Sequence, residues 1–163
     1  MTATPPGQLS HVGPDGSARM VNVGNKPETA RMARATGQIT MTAATLNAIV
    51  GNTIAKGDVL GVARVAGIMA AKRTPELIPL CHPLQLTDVS VAFVTDSALP
   101  GVRVEATVRS VGRTGVEMEA LAAATIALLT VYDMAKAMDK SMVINEISLA
   151  EKSGGAGGPY ARP

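Results

Sequence analysis

Aromatic residues are almost missing from this chain. Of its 163 residues only Phe93, Tyr132 and Tyr160 are aromatic, and there is no tryptophan. Proteins that grip single-stranded nucleic acid stack bases on aromatic faces, so that mode of binding lacks its platforms. The net charge is only +2, too small for a nucleic-acid surface. Cysteine is represented by Cys81 alone, which excludes an intrachain disulfide and suits a reducing cytoplasm. Two histidines, His11 and His82, beside one cysteine do not make a structural zinc set, and no metal or cofactor is read from the chain. The opening MTATPPGQLSHVGPDGS has no hydrophobic region of the signal-peptide kind. The longest apolar stretch, within 112–136, reads as too short and too rich in Thr and Ala to span a bilayer.

What is present is aliphatic. At 47% hydrophobic residues the chain can build one core from Ala, Val, Leu, Ile and Met, and its length fits one domain. Residues 1–19, rich in Pro, Gly and Ser, read as a flexible N-terminal tail. Residues 20–152 read as a single domain and the glycine-rich residues 153–163 as a flexible C-terminal tail. Within the domain, residues 29–41 read as a strand. Thr42 caps a short helix with Gly51 as its stop. A second helix runs from about Val59 to Lys72 and ends at Pro75. LIPLCHP, with two prolines, is a constrained loop. Residues 84–95 form a strand, and Val102–Ser110 alternates Val102, Val104, Ala106 and Val108 against Arg103, Glu105, Thr107 and Arg109, the pattern of a half-buried antiparallel strand.

The next stretch, GRTGVEMEALAAATIALLTVYDMAK, organises the rest. Thr114 and Glu117 have the spacing of a capping box. From there a helix of about 24 residues, roughly 36 Å long, is apolar nearly all round and so predicted to be buried. A last strand covers 141–151. The order β-α-α-β-β-α-β is that of an α+β, ferredoxin-like split βαβ sandwich with an antiparallel sheet and one extra helix. The partly charged outer face of the strands leaves room for a second subunit to cover it.

Several groups could carry chemistry. Asp133 and Lys136 share a helix face. They are either a proton-transferring pair or an i,i+3 ion pair at a helix end, and spacing alone favours the ion pair. Their apolar neighbours argue against full solvation. Glu117 is explained as a capping acid, whereas Glu119 is not. Adjacent residues of an extended segment point apart, which argues against Cys81 as a nucleophile activated by His82. Arg31, Lys56, Lys72, Arg73, Arg113, Lys136 and Lys152 are dispersed, and a polyphosphate ligand would need several to converge.

The segments VGNKPETAR, AAKRTPELIPLCHPLQL, GRTGVEMEALAAA, YDMAKA and AEKSGG, in this order over residues 20–155, resemble the molybdenum-cofactor biosynthesis protein C family, the cyclic pyranopterin monophosphate synthases. The resemblance implies a cytoplasmic lyase that converts 3′,8-cyclo-7,8-dihydroguanosine 5′-triphosphate, a purine-derived cyclic nucleotide triphosphate, to cyclic pyranopterin monophosphate and pyrophosphate. It implies a ferredoxin-like homohexamer, a trimer of dimers, with active sites at subunit interfaces. Carried over motif by motif, it implies catalytic roles for Asp133 and Lys136 of YDMAK and for Lys56 of KGD. Substrate contacts are implied for Leu80, Cys81 and His82 of LCH, for Glu117, Met118 and Glu119 of VEME, for Arg31 of ETAR and for Lys152 of EKSGG. The family usually reads MVDV near its start; Asn22 replaces that aspartate here, and no role is assigned to it.

Rival readings are a non-catalytic nucleotide-sensing ferredoxin-like oligomer, since fold does not fix function, a metal-dependent cyclohydrolase acting on GTP, and a purely structural oligomer. Helix geometry adds one expectation. Glu119 and Asp133 are fourteen residues apart, roughly 21 Å along one axis, so if both serve one site they come from different subunits.

Overall fold

A computed structural model of the chain describes residue 12 and residues 15–163. Most of the tail expected over residues 1–19, with His11, lies outside the described residues. Nine elements follow: β1 (Thr29–Thr40), α1 (Ala43–Val50), α2 (Val59–Lys72), α3 (Thr74–Leu77), β2 (Leu86–Asp96), β3 (Gly101–Gly112), α4 (Glu117–Ala135), β4 (Val143–Ser153) and β5 (Tyr160–Ala161). They form one sheet in the order β2-β3-β1-β4-β5, with every pairing antiparallel. The first four strands have the split βαβ, ferredoxin-like arrangement. The additions to the expected order are α3, which carries Pro75 just after α2 has ended, and β5. Tyr160 and Ala161, in the segment read as an unpacked tail, pair with Lys152 and Glu151.

Alternation decides which sheet face is covered. Val102, Val104, Ala106 and Val108 of β3 and Ala33, Ala35 and Ile39 of β1 are buried against α4. Arg103, Glu105 and Arg109 are exposed on the opposite face. The aromatic deficit determines how the layers meet. α4 presents Ala120, Ala123, Ala124 and Ala127, all fully buried, and small side chains let backbones approach closely. A methyl group added at Gly67 of α2 would lie 2.9 Å from the Ala123 carbonyl oxygen of α4. One added at Gly37 of β1 would lie 3.0 Å from Leu128.

By length and composition α4, with 19 residues and mean hydropathy 1.4, would suffice to cross a membrane. The apolar run is therefore longer than its sequence reading allowed. Its burial is one-sided: Ala120, Ala124, Leu128 and Val131 are fully buried and make it the core helix of this fold, while Leu129 on the other face is half exposed, so the all-round burial expected from its apolar sequence is not met.

The helix ends partly match their sequence signals. Thr42 accepts from the Thr45 amide at the start of α1, and Asp58 accepts from the Gly61 amide at the start of α2. The left-handed residue after α1 is Asn52, at φ 52°, and Gly51 is right-handed. α4 departs more. It begins at Glu117 behind Val116, with no side-chain cap. The Thr114–Glu117 capping box does not form: the helix starts two residues too late for Thr114 to be its cap, and the Glu117 carboxylate instead pairs with Lys152, 2.8 Å away. The helix is shorter at both ends than the expected 24 residues.

Candidate active site

The residues singled out in the sequence fall into two groups, one at each end of α4. At its N-terminal end the LCH loop meets the first turn. Leu80, Cys81, His82, Glu117, Met118 and Glu119 line one pocket of about 320 Å3. Val21, Val23 and Lys26 close part of it. Glu119 is 3% exposed, and burial raises its carboxyl pKa, with the neighbouring charge of Glu117 adding to the effect. Burial also raises the Cys81 thiol, and Glu119 contributes, so Cys81 is held as a thiol. The His82 Nε2–H donates to the Val21 carbonyl at 2.8 Å. That bond uses the ring for the main chain, and no Cys81–His82 dyad is formed.

Lys152 on β4 and Arg31 on β1 stand at the same end. Lys152 pairs with Glu117 at 2.8 Å, both about a third exposed. Arg31 Nε donates to the Gly112 carbonyl at 3.2 Å, and its guanidinium lies on Gly155 where any Cβ would collide with it. Gly154 and Gly155 have φ of +90° and +83°, a conformation that glycine adopts without the Cβ penalty. The KSGG run is thus a backbone bed for Arg31.

At the C-terminal end of α4, Lys56, Asp133 and Lys136 form one cluster. Lys56 Nζ donates to Asp133 Oδ2 at 2.9 Å and to the Asp133 carbonyl at 2.8 Å. Lys136 Nζ lies 2.7 Å from Asp133 Oδ1. Lys56 reaches this point because Asp58 caps α2 and Gly57, at φ +88°, turns the chain just before it. Hydrogen bonding by Lys136, then by Lys56, holds the Asp133 carboxyl at about 2, and the same pairing raises Lys136. All three side chains are about half exposed. In this single chain the cluster is reached by solvent but not fully solvated, as its apolar sequence neighbours suggested.

Within one chain the two groups are not brought together. They share α4 as their axis, with Glu119 near one end and Asp133 near the other. A larger recess of about 460 Å3 lies on the helix-free sheet face, lined by residues such as Ala92, Val94 and Arg103. It contains none of these groups, so volume is a poorer guide here than the convergence of titratable side chains. Among the described residues no three His, Cys, Asp or Glu side chains converge on a metal position. Sequence reasoning passed over Val21, Val23 and Lys26. The available signal was that VGNK opens one of the resembling motifs.

Comparison with known proteins identifies the chain's relatives. Residues 20–155 match the MoaC family. A Brucella ovis protein named cyclic pyranopterin monophosphate synthase is 57% identical over 155 residues, 95% of this chain and 94% of that protein. Proteins of the same name from Chloroflexus aggregans and Pelotomaculum thermopropionicum are 59% and 55% identical. The first alignment covers 95% of this chain and 94% of the relative; the second covers 94% and 91%.

Proposed function

The chain belongs to the MoaC family, and on that premise we propose that it is a cyclic pyranopterin monophosphate synthase, a lyase of molybdenum cofactor biosynthesis. Its substrate is 3′,8-cyclo-7,8-dihydroguanosine 5′-triphosphate and its products are cyclic pyranopterin monophosphate and pyrophosphate. The observation that carries the reading is the near full-length identity to synthases. The geometry supports it by gathering family-matched residues into two charged clusters.

The chemistry needs anion binding and proton transfer. Closing the cyclic phosphate requires a sugar hydroxyl oxygen to attack the α-phosphorus. That hydroxyl gives its proton to a base while the bond to the bridging oxygen breaks and pyrophosphate leaves. Preorganised cations stabilise the leaving charge, and Lys56, Lys136, Arg31 and Lys152 are the groups of the right sign. Asp133 is the carboxylate placed for proton transfer. With two ammonium partners at 2.7 and 2.9 Å it is held at about 2, a weak base in the resting chain. When a phosphate draws Lys56 away, one of the two causes of that depression goes and Asp133 becomes more basic as substrate binds. Leu80, Cys81, His82, Glu117, Met118 and Glu119 form the pocket for the rest of the substrate.

Both ends of α4 serve one site in this reading, which requires a second copy. The helix spans roughly 28 Å at ~1.5 Å per residue. The open sheet face exposes Val94 and Val111 and leaves the buried Gln38 Oε1 without a partner, as a face awaiting cover does. We place the protein as a cytoplasmic homohexamer, a trimer of dimers, with Asp133 of one chain facing Glu119 of another.

The test is incubation of the pure protein with the cyclic nucleotide triphosphate and detection of pyranopterin and pyrophosphate by mass spectrometry. Product formed by the wild-type chain and lost in Lys136→Ala supports the assignment. Tight binding of the triphosphate with no product would instead support a nucleotide-sensing oligomer.

A further inference from the structure

Residues 21–28 are neither helix nor strand, yet they are tied down at several points. His82 Nε2 donates to the Val21 carbonyl at 2.8 Å. The Asn22 Oδ1 accepts from the Gly24 amide at 2.9 Å, and the Lys26 amide donates to the Val23 carbonyl at 3.0 Å. Arg113, just ahead of α4, donates from its guanidinium to the Gly24 carbonyl at 2.8 Å and has Nε 3.5 Å from Glu28. The segment is a strap. One side is fastened to the LCH loop and the other to the approach to α4, and Val21, Val23 and Lys26 of the strap line the pocket that also holds Cys81, His82, Glu117 and Glu119.

We propose that Lys26 is a further substrate-binding residue and that Arg113 is the positioning residue that presents it. The inference rests on the synthase reading and adds to it. Lys26 is the one Lys or Arg side chain among the pocket's lining residues. Among the described residues it makes no ion pair, whereas Lys152 is paired with Glu117 and Arg113 with Glu28. A strand or helix would have satisfied residues 21–26 with regular backbone bonds. Here two long-range side-chain donors do so instead, and what they hold in place is an exposed Lys residue at the pocket that Glu117 and Glu119 also line. The carboxylates accept hydrogen bonds from N–H donors of a purine-like ring. The ammonium supplies a cation for a phosphate oxygen of the same ligand. Arg113 acts through a main-chain carbonyl, so its contribution reaches the ligand only by way of the strap.

The experiment is a double-mutant cycle in the full-length protein, using Lys26→Met, Arg113→Gln and the pair, with Lys26→Arg as the conservative variant. Turnover of the cyclic nucleotide triphosphate gives KM and kcat, and inhibition by inorganic tripolyphosphate gives an independent measure of phosphate affinity. Lys26→Met is expected to raise KM and the tripolyphosphate inhibition constant about tenfold, a single charge-assisted contact, with kcat within about twofold. Lys26→Arg is expected to recover most of both. Arg113→Gln is expected to raise KM in the same sense, and the pair to be no more than about twofold worse than Arg113→Gln alone. Lys26 is exposed, so folding is not at stake, and equal melting temperatures confirm it. An unchanged KM in Lys26→Met, or losses that multiply in the pair, overturns the proposal. Absence of product from the wild-type chain would instead overturn the synthase reading.

Discussion

Gly67 is where the aromatic-poor design is most exposed to attack. It lies in α2 where that helix crosses α4. A methyl group there would sit 2.9 Å from the Ala123 carbonyl oxygen, 3.2 Å from the Ala127 Cβ and 3.2 Å from Val91 Cγ2. The first contact is with helix backbone, which has no rotamer to escape into. Two opposed terms decide Gly67→Ala. Replacing glycine in a helix gains about 1 kcal/mol, and overpacking a closed interface costs about 1–3 kcal/mol. The balance is a loss of up to about 2 kcal/mol, which in a chain of this size lowers Tm by as much as about 8 °C at about 2–4 °C per kcal/mol. Gly67→Val adds two methyl groups and loses part of the propensity gain, so its Tm is expected several degrees below that of Gly67→Ala. Ala127→Gly in the Gly67→Ala background removes one of the three contacts and leaves the carbonyl, so it does not rescue. Calorimetric scans of the four proteins decide the matter. A Gly67→Ala protein that melts about 2–4 °C higher than wild type, the pure propensity gain, would refute the close crossing. Turnover is expected to fall in Gly67→Val at temperatures where it is folded, because a displaced α2 carries Lys56 away from its 2.9 Å contact with Asp133.

Other perturbations test the electrostatics and the strap. Lys136 is the larger and Lys56 the smaller cause of the low Asp133 pKa. Carboxyl-carbon NMR should therefore find the Asp133 midpoint recovering more of the way from about 2 towards 3.8 in Lys136→Met than in Lys56→Met; the reverse order would reject the assignment. Glu119 is raised by burial, so between its ordinary and raised pKa the folded state holds more protons than the unfolded one and stability falls as pH rises. Glu119→Gln should gain thermal stability over wild type as pH climbs from 4.5, with no gain at more acid pH; a pH-independent difference would contradict the burial argument. Asn22 uses its side-chain oxygen to accept from the Gly24 amide, which an aspartate does equally well. Asn22→Asp should keep KM within about twofold, while Asn22→Ala, which loses the turn, should raise it several-fold.

Local signals in the sequence were read correctly where local physics decides. The alternation of β3, the Thr42 cap, the Val59–Lys72 span of α2 and the order of the main elements each depend on residues within a few positions of one another. Features set by distant residues were missed. Thr114 and Glu117 have the spacing of a capping box, but the helix begins only at Glu117, whose carboxylate pairs with Lys152, 35 residues away, a partner no local spacing reveals. Lys56 and Asp133 are 77 residues apart, and His82 and Val21 are 61 apart. Only the family resemblance connected the members of each cluster in advance. The half exposure of Asp133 is compatible with its apolar flanking residues, which argued only against full solvation; that Lys56 is its second partner could not be read from them.

Asn22 illustrates how the geometry changes a sequence argument. As a letter it is a lost carboxylate in a motif that usually carries one, and that invites the idea of lost chemistry. In the fold its oxygen closes a turn on Gly24, two residues before Lys26, and the turn needs an acceptor, not a charge. The same distinction applies to α4. Its two charged ends read at first as caps on a buried rod, yet Glu117 is drawn to β4 and Asp133 to the loop ahead of α2. Each end is tied to a different part of the sheet sandwich, so neither can swing towards the other. If the two clusters serve one site, as proposed above, their separation of roughly 21 Å along α4 is closed by a second copy and not by motion within the chain, and in a closed symmetric assembly the contact that completes one such site completes them all.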